Sequence, residues 1–413
     1  MTMHRMAAVD AQFYWMSAKI PSDEFLLYAF AREPAHLERA IDEVRGRARA
    51  CRDLTMRVDD GWALSYPQWV PAAIEPAQVV THELADKTWR GCLDTVVGLA
   101  GDQLDIRRMP WRLHLFTPVR GIPGSTGPGA VAVMQVAHAL ADGARASALA
   151  AWLFGRAAPV ADVTPLSRGC LPCRAIHAAR THRRLVRDTR TGLLAPALGS
   201  RPPLATNARP AGARAVRTLV RHRAQLPGPT VTVRVLAAVS TALSDLLGRS
   251  ADSLGAEVPM AKPGVPRAHN HFGNVVVGLY PQLEQDVRVE RIAADLANGR
   301  RRFEHPATSS ADRAFAAIPA PLLRWGVVRF DADARPALVA GNTVVSSVHR
   351  GAADLRFGDA PVVLTAGYPA LSPAMGLTHG VHGIGDTVAI SVHAAESAVG
   401  DIDAYLQRLD EAL

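Results

Sequence analysis

Long apolar runs are absent from this 413-residue chain. No stretch approaches the roughly 18 consecutive apolar residues that a membrane-spanning helix needs. Asp10 and Lys19 also interrupt the N-terminus before the apolar core of a signal peptide could form. The sequence therefore predicts no membrane-spanning helix and a cytoplasmic location.

Cysteine is scarce, and the chain has only Cys51, Cys92, Cys170 and Cys173. Four cysteines are too few for a disulfide framework at this length. Cys170 and Cys173 form a C-x-x-C pair that is followed by His177 and His182, a pattern that also occurs in zinc and redox sites. Because there is no second pair and no strand before the motif, two reduced thiols in a linker are the preferred interpretation.

The positive charge of the chain is concentrated in one segment. Residues Arg168 to Arg223 contain thirteen arginines, no lysine and one acid, Asp188, which gives a net charge of +12. The whole chain carries +8, so the remainder carries −4. A solvated linker helix explains such a segment, and attraction to anionic lipid headgroups or to the phosphates of a nucleotide-bearing substrate is the alternative. No aromatic residue interrupts these arginines as a base-stacking surface would require, so no nucleic-acid binding is predicted.

Length and composition favour two globular α/β domains. The chain exceeds what a single core usually supports, and 48% hydrophobic with 20% charged residues is typical of globular proteins. Alternating strand and helix signals predict an N-terminal domain at residues 1–156 and a C-terminal domain at 230–413. A basic linker rich in Pro, Gly and Arg joins them at 157–229, with one or two surface helices.

The predicted elements follow from periodicity and turn residues. Strands are expected at 25–31, 62–66, 79–84, 111–119, 130–138, 255–260, 272–280, 343–350, 362–366, 377–382 and 387–393. Helices are expected at 34–52, 88–104, 143–154, 230–247, 287–303 and 402–413.

The stretch from Ala130 to Gly143 contains the most informative motif. An apolar run ends at His138, and Asp142-Gly143 follows four residues later, before an Ala-rich helical segment. A histidine at a strand end can face a cleft and accept a proton near neutral pH, because its unperturbed pKa is about 6.5. Asp142 would fix the turn, and Gly143 would let two backbones approach closely. A buried histidine beside an Asp-Gly turn is the alternative; no G-x-S-x-G elbow supports an α/β-hydrolase.

Several segments in one order resemble the bacterial wax ester synthase/diacylglycerol acyltransferase (WS/DGAT) family. This family lies within the CoA-dependent acyltransferases that share the chloramphenicol acetyltransferase fold and include condensation domains. The resembling segments are Ala8–Phe13, Leu104–His114, Val136–Gly143, Val258–Met260, Phe272–Pro281 and Asn342–Ser347. Ala137 stands where the family has the first histidine of its HHxxxDG motif, and Thr232 and Val233 stand where it has an Asn-Asp pair.

The resemblance implies two chloramphenicol acetyltransferase-like two-layer sandwich domains with mixed sheets and an active-site tunnel between them. His138 would lie midway along the tunnel as the general base, with acyl-CoA entering from one side and an alcohol from the other. Asp142 would turn away from the cleft and pair with an arginine, a structural role that Gly143 shares. Acyl-CoA would be a co-substrate, and no cofactor is implied.

Asn274 and Ser346 are candidates for hydrogen bonds to the substrate or to the oxyanion of the tetrahedral intermediate, because they lie on segments that resemble cleft-lining strands. Each could instead satisfy backbone groups at a strand end. We predict no metal site, because neither His138 with Asp142 nor the remaining candidate histidines have a recognised ligand spacing. Those histidines are His269, His271, His379, His382 and His393.

The sequence therefore predicts an O-acyltransferase that moves a long-chain acyl group from acyl-CoA to diacylglycerol or a fatty alcohol. One alternative is a condensation-type or polyketide-associated acyltransferase of the same fold. Another is a catalytically weak lipid-binding homologue, suggested by Ala137, Thr232 and Val233. Peripheral contact with the inner membrane face or lipid bodies through Arg168 to Arg223 is a separate hypothesis.

Overall fold

The computed structural model describes residues 3–62, 64–167, 169–248 and 253–413. The strands are β1 (His4–Arg5), β2 (Glu24–Phe30), β3 (Met56–Asp59), β4 (Gln68–Pro71), β5 (Val79–His82), β6 (Trp111–Val119), β7 (Gly129–Val136), β8 (Arg214–His222), β9 (Gly255–Ala261), β10 (Phe272–Gly278), β11 (Thr343–His349), β12 (Arg356–Phe357), β13 (Ala360–Gly367), β14 (Leu377–Ile384) and β15 (Thr387–Ala395). The helices are α1 (Ala8–Ser17), α2 (Leu37–Ala50), α3 (Trp89–Leu99), α4 (Gly143–Leu153), α5 (Leu171–Arg190), α6 (Val231–Leu247), α7 (Gln285–Glu304), α8 (Pro306–Phe315), α9 (Ala320–Arg329), α10 (Glu396–Val399) and α11 (Ile402–Ala412).

The first six-stranded sheet has the order β12-β13-β2-β7-β6-β5 and is mixed, with β5 and β6 parallel. All eight residues of β7 are buried because both of its faces are covered. Helices α2 and α4 pack on one face, and α2 fits there because its buried residues recur at helical spacing. Helix α3 and residues of β8 and β15 cover the other face. This sheet places the end of β7 where the two halves of the molecule meet.

The second six-stranded sheet has the order β10-β9-β11-β14-β15-β8, with β11 parallel to both of its neighbours. Helices α6, α7 and α11 pack against it around a second apolar core. Two mixed sheets covered by helices confirm the predicted α/β class. A small third sheet, β1-β4-β3, lies in the N-terminal half.

The two sheets exchange strands across the predicted domain boundaries. β13 comes from the C-terminal half of the chain but pairs antiparallel with β2 in the first sheet. β8 lies inside the predicted linker but pairs along its whole length with β15. The linker also contains the exposed helix α5, as expected. The boundaries at 156 and 229 stay a prediction, but residues 157–229 are more than a connection.

Most predicted elements are confirmed within a few residues, and three differences stand out. The strand expected at 62–66 is wrong, because Trp62 is 80% exposed and lies between β3 and β4, which are the actual strands. The helix expected from Pro34 begins at Leu37. Helices α1, α8 and α9 were not predicted. Among the described residues, no helix has the length and apolarity needed to span a bilayer.

Candidate active site

His138 lies two residues after the last residue of β7, close to the strand end at which the sequence predicts it. The chain turns there through a hydrogen bond from the Leu140 N–H to the Ala137 carbonyl (2.8 Å), and α4 begins at Gly143. The chain must turn here because β7 has ended and α4, the next element, packs back onto the sheet. The His138 side chain therefore projects beyond the sheet instead of into its core.

Aromatic side chains from both halves of the chain hold the His138 ring. The Phe13 ring of α1 stacks on the imidazole at 4.2 Å between centroids, with an interplanar angle of 22°. The centroid of the Phe272 ring of β10 lies 5.8 Å from that of the imidazole, with an interplanar angle of 13°. The His138 side chain is still 18% exposed, so a reactant can reach it. Burial lowers the pKa of His138, which keeps the imidazole neutral and able to accept a proton at pH 7.

Glu24, the first residue of β2, lies beside His138 and was not among the predicted site residues. Its Oε1 is 3.7 Å from the His138 Nε2, and its side chain is 23% exposed. Burial and, to a smaller extent, the nearby Asp142 carboxylate raise the pKa of Glu24, the Arg350 guanidinium opposes them, and the pKa that results is about 8. At neutral pH the site therefore contains a neutral imidazole next to a carboxyl group that is mostly protonated.

Asp142 has a structural role, but not the one predicted. It is the N-cap of α4, and its Oδ1 accepts the backbone N–H of Arg145 (2.9 Å). Its Oδ2 accepts the backbone N–H of His271 (2.8 Å), which joins the two halves of the chain. The expected ion pair between Asp142 and an arginine is absent from the described residues, because the Arg145 guanidinium pairs with Asp53 instead.

Gly143 does not provide the close backbone approach that the sequence suggested. A Cβ placed on this residue would lie 3.7 Å from the Val348 Cγ2, which is ordinary van der Waals contact. Its carbonyl accepts the Ser147 hydroxyl (2.6 Å) inside α4. The fold therefore does not require glycine for space at this position.

The two oxyanion candidates lie on different strands of the second sheet. Asn274 is exposed on β10, and its side-chain amide donates to the Glu257 carboxylate (3.1 Å). Ser346 is half-buried on β11, on the strand face shared with Val348, which lies near Gly143. β9 separates β10 from β11, so the two residues do not lie on neighbouring strands. Their role stays a prediction.

A buried carboxylate that is not among the predicted site residues holds the His138 loop. Asp10 of α1 accepts the backbone N–H groups of His269 (3.0 Å) and Asn270 (2.9 Å) and the Asn270 side-chain amide (3.0 Å). The same amide nitrogen donates to the His138 carbonyl (2.8 Å). Asp10 and Phe13 both lie in the resembling segment Ala8–Phe13, which was the signal that could have identified them.

The three residues that depart from the WS/DGAT motifs have ordinary packing or hydrogen-bonding contacts. Ala137 and Val233 are buried in apolar cores. The Thr232 hydroxyl lies 2.7 Å from the Ser347 hydroxyl and hydrogen-bonds to it. A polar contact between α6 and β11 thus remains at the position of the family's Asn-Asp pair.

Most other candidate ligands have structural partners. His379 hydrogen-bonds to the hydroxyls of Thr343 (2.9 Å) and Tyr405 (2.8 Å). Cys170 and Cys173 are free and exposed at the start of α5. No group of three or more His, Cys, Asp or Glu residues in the described part of the chain could hold a metal ion. Burial lowers the pKa of the five histidines considered as ligands, His269, His271, His379, His382 and His393.

Three cavities lie around this centre. One of about 400 Å³ reaches Asn270 and His271. Another of about 190 Å³ reaches Asp23 and Phe25, at the start of β2. The third, of about 850 Å³, lies between α1 and α9. Since His138 lines none of the three, a continuous tunnel past the imidazole stays a prediction.

Comparison with known proteins supports the resemblance. Residues 269–413 match the family model described as the WS/DGAT C-terminal domain. A wax ester synthase/diacylglycerol acyltransferase from Marinobacter aquaeolei VT8 is 16% identical, with a TM-score of 0.63, over 99% of this chain and 98% of that one. No curated protein sequence matches the chain.

Condensation domains have the same fold. The starter condensation domain of rhizomide synthetase RzmA, in a mutant form with C8-CoA and Leu-SNAC, is 12% identical with a TM-score of 0.61, over 99% of this chain and 93% of that one. The condensation domain from Monacolin K polyketide synthase MokA is 13% identical with a TM-score of 0.56, over 100% of this chain and 97% of that one. The chain therefore has a WS/DGAT-like acyltransferase fold, and its C-terminal third matches the WS/DGAT family.

Proposed function

We propose that this protein is an O-acyltransferase that moves a long-chain acyl group from acyl-CoA to a lipid hydroxyl. The acceptor is diacylglycerol, giving triacylglycerol, or a fatty alcohol, giving a wax ester. The main support is the position of His138, a neutral and partly exposed imidazole where the two halves of an acyltransferase fold meet. The relative solved with C8-CoA supports acyl-CoA as the donor.

The proposed reaction needs one base and no covalent intermediate on the protein. The acceptor hydroxyl gives its proton to the His138 Nε2 while its oxygen forms a bond to the thioester carbonyl carbon. Collapse of the tetrahedral intermediate breaks the carbon–sulfur bond, and the proton passes from Nε2 to the sulfur of CoA. Acyl-CoA is a co-substrate, and the proposal includes no metal or organic cofactor.

The first test is the release of free CoA from palmitoyl-CoA with hexadecanol or a diacylglycerol. Replacing His138→Ala should lower the rate by about 10² to 10⁴, because general-base catalysis typically contributes that factor. His36→Ala, at an exposed position just before α2, is the matched control and should leave the rate unchanged. A His138→Ala protein that is folded and fully active would contradict the assignment of the base.

A condensation-type or polyketide-associated acyltransferase is the second candidate, favoured by the condensation domains among the structural relatives. Turnover with carrier-protein thioesters and none with palmitoyl-CoA would select it. A catalytically weak lipid-binding homologue is the third, because Ala137, Thr232 and Val233 depart from the family pattern. Palmitoyl-CoA binding without product over a broad panel of acceptors would select this one.

We also propose that the protein is cytoplasmic and that it makes peripheral contact with an anionic lipid surface, at the inner membrane face or on lipid bodies. Part of the basic segment is used inside the fold, since Arg217 pairs with Asp94 and Asp403. Helix α5 still presents exposed arginines, among them Arg180 and Arg183. Arg168, where the predicted segment begins, lies outside the described residues. The proposed contact therefore concerns mainly α5.

A further inference from the structure

The carboxyl group of Glu24 lies where the acceptor must bind if the proposed function holds. The antiparallel pairing of Glu24 with Val136 puts the start of β2 beside the end of β7, two residues before His138. The Glu24 side chain then reaches to 3.7 Å from Nε2, the nitrogen proposed to accept the acceptor's proton. This separation exceeds a direct hydrogen bond but is shorter than two hydrogen bonds of roughly 2.8 Å in series. One acceptor oxygen can therefore lie within hydrogen-bonding distance of both atoms.

We propose that Glu24 is a second catalytic residue, which donates a hydrogen bond to the acceptor oxygen and thereby selects hydroxyl over amine acceptors. The proposal rests on the proposed acyltransfer. The acceptor hydroxyl gives its proton to the His138 Nε2 while one lone pair on its oxygen accepts a hydrogen bond from the Glu24 carboxyl group and the other attacks the thioester carbonyl carbon. Glu24 keeps its proton through the reaction, and the proton on Nε2 leaves with the CoA sulfur.

The selection follows from the number of lone pairs on the acceptor atom. A hydroxyl oxygen has two, so it can accept a hydrogen bond and still attack. A neutral amine nitrogen has one, and a hydrogen bond from Glu24 to that lone pair blocks the attack. A protonated Glu24 therefore favours ester formation over amide formation at the same histidine.

The surroundings of Glu24 keep its proton in place. Three groups face it from other elements: His138 after β7, Asp142 at the N-cap of α4 and Arg350 after β11. Burial and the Asp142 carboxylate raise the pKa of Glu24, and the Arg350 guanidinium opposes them, with a result of about 8. Arg350 is engaged elsewhere, since it donates to the Thr365 hydroxyl and lies 5.1 Å from the Tyr28 ring centroid.

The pH profile follows from these two groups. His138 must be neutral to act as a base, and its pKa is lowered, so activity should rise with pH and be complete by about pH 7. Glu24 must be protonated to donate, so activity with an alcohol should fall as pH rises through about 8. The wild-type profile with hexadecanol should therefore be bell-shaped.

Two substitutions of Glu24 separate hydrogen-bond donation from other roles of this side chain. Glu24→Gln keeps an N–H donor that cannot titrate, so kcat/KM should stay within a few-fold of wild type and the alkaline fall should disappear. Glu24→Leu removes the donor, so kcat/KM should drop about tenfold to a hundredfold. The loss should appear in the KM for hexadecanol and not in the KM for palmitoyl-CoA. Glu38→Gln on the exposed surface of α2 is the matched control and should behave as wild type.

A direct comparison of acceptors tests the selection. At one pH, the ratio of turnover with hexadecanol to turnover with hexadecylamine should fall in Glu24→Leu relative to wild type. An unchanged ratio, an alkaline fall that persists in Glu24→Gln, or a loss in Glu24→Gln as large as in Glu24→Leu would each overturn the inference while leaving the acyltransferase intact. Absence of CoA release in every protein, wild type included, would overturn the proposed function and this inference with it.

Discussion

A buried ion pair supports α4, the helix that follows the His138 loop. Arg145 of α4 pairs with Asp53, and both side chains are nearly excluded from water, at 8% and 10% exposure. Arg145 also donates to the Ala161 carbonyl (2.8 Å). Removing one partner of such a pair leaves an uncompensated charge in the interior, which is far costlier than losing the attraction at the surface.

We expect Asp53→Asn to lower the free energy of unfolding by about 3–5 kcal/mol, because the Arg145 guanidinium stays buried without a counter-ion. Urea denaturation at pH 7 measures the change. Asp105→Asn is the matched control, since its pair with Arg107 is more than half exposed and should contribute far less to stability. Equal losses in the two variants would show that the burial of the Arg145 pair has no special effect.

The role of a residue could be predicted from the sequence where the residue lies at a recognisable boundary between two elements. His138 and Asp142 were found because a strand-to-helix turn surrounds them. Glu24 could not be found, since nothing in the local sequence shows that β2 pairs with β7 in the register that brings it to His138. The arginine pair expected for Asp142 is absent from the described residues, because the backbone N–H of Arg145 in its own helix and that of the distant His271 occupy its oxygens.

At the scale of elements, α1 fastens the loop at residues 269–271 to the N-terminal half. Asp10 accepts three hydrogen bonds from His269 and Asn270, and Asn270 in turn donates to the His138 carbonyl. Burial raises the pKa of Asp10 from 3.8 to about 6. The raised pKa means that the folded state binds the Asp10 proton more tightly than the unfolded state does.

This linkage gives a prediction for Asp10→Asn, which cannot ionise. In wild type the stabilising effect of the raised pKa is fully present below pH 3.8 and is lost as pH rises through about 6. The stability of Asp10→Asn relative to wild type should therefore improve by about 3 kcal/mol between pH 3.8 and pH 7, from a shift of about two pKa units. Urea denaturation over that range measures the difference, and a constant difference would contradict the raised pKa.

Helices and strands could be predicted where one hydrophobic period dominates the sequence. They could not be predicted where burial depends on residues that are far away in the chain. β7 and α6 follow their apolar patterns almost to the residue. The apolar residues Trp62 and Leu64 suggested a strand, but they are exposed, at 80% and 72%, in the connection between β3 and β4. The pairing of β13 with β2 depends on a contact between residues more than 300 positions apart, which periodicity does not contain.

At the scale of the whole molecule, the proposed lipid contact predicts that the positive charge of α5 strengthens binding to anionic vesicles. Replacing Arg180→Ala and Arg183→Ala together should weaken binding to vesicles of phosphatidylglycerol and phosphatidylcholine about thirtyfold, since each arginine near an anionic surface contributes about 1 kcal/mol. Co-sedimentation at several salt concentrations measures this, and the effect should shrink as salt rises.

The matched control for this test replaces Arg39→Ala and Arg49→Ala on the exposed side of α2, which should leave vesicle binding unchanged. The described surface also has exposed apolar residues on α9, with Trp325 at 58% and Val328 at 63% exposure. Binding that ignores salt and anionic lipid, and that is lost in Trp325→Ser, would place the contact at α9 and contradict the proposal for α5.

The crossing of β13 into the first sheet has a consequence for engineering. A chimaera that joins residues 1–229 of this chain to the C-terminal half of another protein with this fold imports a foreign strand into the first sheet, next to β2. Glu24 begins β2, so the imported strand is a direct neighbour of the strand that positions this carboxyl group. Exchange of C-terminal halves between proteins of this fold therefore needs grafts that keep residues 356–367 with their original N-terminal half.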